Sequence, residues 1–171
     1  MRHAGQGDMK LVAIKRGKAD KYDRLRCIRR DGSETACDMP RQGILPHDLV
    51  HYVVESALGY RHGFLGLVAG GADIRAVLDI VHDPANRAIA DEATHTEAIV
   101  ESLQAQLWSG AFDAELFIEG VRGACAVRGR AMPDLSAIDA DDALFRRALE
   151  LDARWRQVPF HGSLELELEH V

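Results

Sequence analysis

Residues 163–169 read Ser-Leu-Glu-Leu-Glu-Leu-Glu, so that Leu164, Leu166 and Leu168 alternate with Glu165, Glu167 and Glu169. Side chains of a strand point to opposite faces in turn, and this stretch is therefore an amphipathic β-strand with one acidic face. An acidic strand pairs well with a basic one, because opposite charges across strands stabilise by roughly 0.2–1 kcal/mol per pair. The basic partner stands at the other end of the chain. Residues 1–41 hold 11 Lys/Arg against 6 Asp/Glu, a balance of +5, whereas residues 42–171 hold 10 against 21, a balance of −11.

Within that basic segment, Met9 to Lys15 alternates around Leu11 and Ala13 and reads as a strand, and Tyr22 to Arg30 reads as a second. Asp31-Gly32 is a turn signal, and Glu34 to Met39 returns as a third strand. The two termini are expected to share one small antiparallel sheet. Between them the period turns helical. Pro46 opens a helix with an apolar stripe of Leu49, Val50, Val53, Val54 and Leu58, which Gly59 is placed to end. Gly63–Gly71 predicts a short buried helix, and Asp73 can cap another over Ile74–Val81. A long helix from Pro84 to Trp108 follows, with Ile89, Ala93, Thr96, Val100, Leu103 and Leu107 on one face. Asp113 caps a further helix to about Val127, and one more covers Asp139 to Trp155. The expected class is α+β: a sheet of N-terminal strands joined by the C-terminal strand and packed with about five helices. The expected organisation is one domain over 1–171, with a tail at 1–8, a β-rich part at 9–39, a helical part at 46–158 and the closing strand at 163–169.

Composition narrows the function classes. A hydrophobic share of 47% with 28% charged residues is that of a globular chain. No apolar run reaches the ~18 residues of a membrane span, and the first eight residues lack the apolar core of a signal peptide, so a cytoplasmic protein is expected. The basic residues interleave with apolar ones and lack aromatic stacking partners, which argues against nucleic acid and for neutralisation within the fold. A small molecule, a protein or a second copy of the chain is the expected kind of partner. Cys27, Cys37 and Cys125 lack metal-site spacing. Cys27 and Cys37 lie at equal distances from Gly32; a hairpin centred there would set them opposite each other, as a disulfide or as packed free thiols.

One segment carries chemistry: Leu45-Pro46-His47-Asp48-Leu49-Val50-His51-Tyr52-Val53-Val54-Glu55. His47 and His51, four residues apart, project from one helix face and can reach one ion, a divalent metal such as zinc. The positive potential of a helix N-terminus keeps His47 neutral, the form that binds metal. Glu55 is eight residues from His47, about 12 Å along the axis, too far to share the ion without strain. The third ligand is then Asp48 or a group from another segment. Glu55 would orient His51 or act as a general base toward water held by the metal. This points to a metal-binding protein, with metal-dependent hydrolysis as the matching chemistry. A structural cluster in a non-enzymatic binding or scaffold protein uses the same residues differently: Asp48 would cap the helix, Glu55 would pair with Arg61, and His51 would hydrogen-bond Asp48.

The segment resembles a group of bacterial proteins of uncharacterised activity that share a Leu-Pro-His-Asp-Leu-x-His-x-x-Val-Glu pattern; the likeness spans residues 44–70 and implies no reaction. His47-Asp48-x-x-His51 is also similar to the metal motif of the ubiquinone-biosynthesis scaffolding family, which sets a glutamate where this chain has Gly63. His82-Asp83, after Val77-Leu78-Asp79-Ile80-Val81, looks like the central motif of HD-domain phosphohydrolases, a resemblance that would give His51 and Asp139 the accompanying roles.

Overall fold

The structure is a computed structural model that describes residues 8–77 and 87–169. Four strands, β1 (Met9–Ile14), β2 (Tyr22–Arg29), β3 (Glu34–Pro40) and β4 (Ser163–Leu168), form one sheet in the order β3-β2-β1-β4. All neighbours are antiparallel, and β1 sets Leu11 between Cys27 and Leu166. The fold is α+β, and the C-terminal strand completes the N-terminal sheet. Alternation sends Met9, Leu11, Ala13, Leu25, Cys27, Met39, Leu166 and Leu168 into the core. The opposite face carries the charges, and most of the pairing on it is between β2 and β3. Arg26 pairs with Glu34 at 2.7 Å and Arg24 with Asp38 at 4.0 Å, while β4 contributes Glu165 to Lys10 at 3.7 Å.

The β2–β3 hairpin differs from the symmetric expectation. Cys27 lies opposite Thr35, and Cys37 opposite Leu25, so the thiols are offset along the strands and free. The cause is the loop. Arg29 N–H donates to the Ser33 carbonyl at 2.8 Å, and Gly32 takes φ +88°, which centres the turn on Asp31 rather than Gly32 and so moves the register by two residues on β3.

Of helices α1 (His47–Leu58), α2 (Phe64–Ala69), α3 (Arg87–Ser109), α4 (Ala114–Val127) and α5 (Arg146–Gln157), α1 meets β3 and α2 meets β2, while α3 packs on α1, α4 on α3, and α5 against α1. Gly59 ends α1 in the left-handed region at φ +64°, and the Asp113 carboxylate caps α4 through the Leu116 N–H. The helix expected from Asp139 begins instead with a π turn, Asp141–Phe145, that carries both Leu144 and Phe145 into the core before α5. The last part of the segment expected as a helix at Ile74–Val81, and the whole His82-Asp83 motif, lie outside the described residues. Among the described residues no helix is long and apolar enough to cross a membrane. The packing of α1 against both the sheet and α3 places the site.

Candidate metal centre

Helix α1 buries Leu49, Val50, Val53 and Val54, and His51 and Glu55 fall on the same inward stripe. The side chain of His51 is 1% exposed and that of Glu55 is 0% exposed. His47, one turn earlier at the helix start, is 38% exposed, and Glu97 on α3 is 32% exposed. The four residues therefore run from solvent into the core.

Their hydrogen bonds fix the orientation of both rings. His51 Nδ1 lies 3.2 Å from Glu55 Oε2. The Glu55 oxygens also accept the N–H groups of Leu65 and Gly66, at 3.1 and 2.9 Å, so they face donors, and His51 Nδ1 supplies a third. Its seat is shaped by Gly63, where a Cβ would stand 2.5 Å from Glu55 Oε1. On the other ring, His47 Nδ1 lies 3.2 Å from Gln104 Oε1, an oxygen that also accepts from Gln42 Nε2 at 2.8 Å. Gln42 Nε2 in turn donates to the Leu45 carbonyl at 2.8 Å, which orients both amides. Each histidine thus spends its Nδ1 proton on an acceptor and presents Nε2 inward.

The two Nε2 atoms face each other at 3.2 Å. With both rings neutral, two lone pairs would meet, so the gap calls for a positive charge: a proton or a metal ion. Glu97 faces the same gap, with Oε1 at 3.1 Å from His51 Nε2 and Oε2 at 3.9 Å from His47 Nε2. In the absence of metal the proton resides on His51. Burial opposes that charge, yet the hydrogen bonds to Glu55 and Glu97 outweigh it and raise the imidazole to about 10. Burial likewise opposes the charge on Glu97, but the hydrogen bond and charge of His51 hold its carboxyl below the usual value.

His47, His51 and Glu97 form a group that could hold a metal ion, with one ligand atom from each within 4.8 Å of the others. The spacing suits it. Two nitrogens at 2.0–2.1 Å from a tetrahedral ion stand about 3.3 Å apart, close to the separation found between the two Nε2 atoms. The Glu55–His51 bond and the Gln104–His47 bond are the outward contacts that hold a metal-binding imidazole in one tautomer.

Each residue singled out in the sequence has a distinct place. His47 and His51 converge. Glu55 does not face the gap; it holds His51 from behind and, rather than pairing with Arg61, binds the start of α2. Asp48 points elsewhere: its Oδ2 receives the Cys37 thiol at 3.7 Å, and burial pushes its carboxyl up. It lies in the first turn after the N-cap residue Pro46. His51 bonds Glu55 and Glu97 instead of Asp48. Asp139 accepts from the Asp142 N–H at 3.3 Å, at the start of the π turn.

Glu97 was not singled out. It lies 46 residues beyond His51 in sequence, yet a signal was present. Ala93, Glu97, Val100 and Gln104 follow one another at helical spacing, so Glu97 and Gln104 place two polar groups beside the apolar stripe of α3.

The chain matches no family model, no curated protein and no solved structure in the comparisons made.

Proposed function

We propose that this chain is a metal-binding protein in which His47, His51 and Glu97 hold one divalent ion, zinc being the best match to two imidazoles and a carboxylate. The observation that carries this reading is the pair of inward-facing Nε2 atoms at 3.2 Å, each with its Nδ1 proton already committed. Three protein ligands leave a position for water or substrate, the pattern of catalytic zinc sites, whereas structural sites use four. The exposed sides of His47 and Glu97 give that position access to solvent, which supports metal-dependent hydrolysis as the chemistry.

A second reading has its own support. Glu55 joins α1 to α2 through two backbone N–H groups, so part of the cluster serves the fold whatever the centre binds. In that reading the chain is a non-enzymatic binding or scaffold protein.

Metal analysis of untagged protein separates the two. One zinc per chain is expected, lost in His47→Ala and Glu97→Gln with the fold retained. Asp48→Asn is expected to keep it. A metal-loaded preparation is then expected to hydrolyse an activated ester or phosphodiester, with Glu97→Gln inactive. Absence of stoichiometric metal, or equal metal affinity in His47→Ala, would contradict the metal reading. Stoichiometric metal without hydrolysis would contradict the catalytic one.

A further inference from the structure

Away from the histidine centre, an open cavity of about 310 Å³ lies where the end of β1, the loop before α1 and the end of α5 meet. Lys15, Arg41, Gln42, Trp155, Arg156 and Phe160 are among the residues that line it. Its charges are not equivalent. Asp23, 2% exposed, receives the Arg41 guanidinium on both oxygens, at 2.8 and 3.0 Å. Arg41 also donates to the Gly17 carbonyl at 3.0 Å, which makes it a fixed part of the wall. Asp152 accepts Arg156 Nε at 2.8 Å, and among the described residues the terminal nitrogens of that guanidinium make no hydrogen bond.

Lys15 differs. Its ammonium donates to the Trp155 carbonyl at 2.5 Å and lies 4.7 Å from the Trp155 ring centre. Among the described residues it forms no ion pair, and both lining carboxylates are already taken by arginine. Burial lowers its pKa, and repulsion from Arg41 and Arg156 adds to the effect against the pull of Asp23 and Asp152. An ammonium has three N–H donors, so two remain for a ligand. The backbone beside it is tied by hydrogen bonds. His161 N–H donates to the Lys15 carbonyl at 2.6 Å, and His161 itself takes φ +68° in a turn closed by Gly162 N–H to the Pro159 carbonyl at 2.9 Å. That turn holds the half-exposed Phe160 ring 5.9 Å from the Arg41 guanidinium.

We propose that this cavity binds a small organic anion, its carboxylate held by the Lys15 ammonium and the terminal nitrogens of Arg156, and its apolar body lying on Phe160. The volume is near the lower end of small-molecule pockets, roughly 300–1,000 Å³, and so limits the ligand to about one ring. The site shares Gln42 with the outer contacts of the histidine centre, contains none of the three residues proposed to hold a metal, and does not depend on one.

The test titrates the wild-type protein with benzoate, benzamidine and benzyl alcohol in a calorimeter. Benzoate is expected to give a saturable change, with affinity about tenfold or more above that of the cation and the alcohol. Lys15→Gln and Arg156→Gln are each expected to weaken benzoate by about tenfold, the loss of one charge-assisted hydrogen bond. No saturable response to benzoate overturns the proposal, as does benzamidine binding as well as benzoate. Full benzoate affinity in folded Lys15→Gln also overturns it. Should that variant not fold, Arg156→Gln, altered at an exposed side chain, decides in its place.

Discussion

His51 and Glu55 on α1, and Arg26 and Glu34 across β2 and β3, are both couples of a basic and an acidic side chain within hydrogen-bond distance. The first couple is 1% and 0% exposed, the second 40% and 49%. On the sheet, water solvates either partner if the other is lost, and a broken pair forfeits little. Around α1 no water replaces a missing partner. Glu55 serves a ring nitrogen and two backbone N–H groups at once, and His51 stands between two carboxylates. The same residue types therefore decorate one region and specify the other. A buried ion pair is no evidence of net stability against an apolar replacement, but removing one member leaves a charge and its donors stranded.

Substitution of Glu55 is expected to show the contrast at its largest. Glu55→Gln keeps the shape but turns an NH2 group toward donors, and a loss of about 3–5 kcal/mol in urea unfolding is expected. A loss below about 1 kcal/mol would place the α1 cluster with the surface pairs. The same bond can be weakened from the His51 side by pH. His51 is raised from 6.5 to about 10, so its contribution is complete below 6.5 and is lost as pH rises toward 10. Metal-free protein is therefore expected to have a urea midpoint that falls across that window, and His51→Gln to remove the fall. A flat profile in the wild type would contradict the protonated network.

Gly63→Ala acts on the seat of Glu55. The new Cβ would meet Glu55 Oε1 at 2.5 Å and Thr96 Oγ1 at 2.9 Å, and a cost of about 1–3 kcal/mol is expected, with weaker zinc binding as Glu55 shifts. The smallest effect belongs to the sheet: Arg26→Ala is expected to cost less than about 1 kcal/mol, and less still at high salt. A larger loss there would erase the distinction between the regions.

Much of the fold was legible because it follows from alternation and caps. The Leu/Glu alternation of β4, the turn after β2, Gly59 at the end of α1 and Asp113 before α4 are local signals with local causes. The hairpin register was not, because Asp31-Gly32 announces a turn without saying which residues close it, and whether the turn centres on Asp31 or Gly32 decides whether Cys27 meets Thr35 or Cys37. The centre was half legible for a similar reason. His47 and His51 share a helix face by spacing alone, and the distance of Glu55 along the axis separates it from their gap. Glu97 belongs to another helix, and the packing of α3 on α1 that brings it there is long-range. The place of Asp48 was equally hidden, since its partner, the Cys37 thiol, comes from the sheet.

The most direct test of the central claim is nitrogen NMR of the two imidazoles as zinc is added to metal-free protein labelled at histidine. Equimolar zinc is expected to move the Nε2 resonances of both His47 and His51 to the metal-bound range, while both Nδ1 atoms keep their protons to Gln104 and Glu55. Coordination through Nδ1 in either ring, or a His51 spectrum that zinc leaves unchanged, would contradict the account.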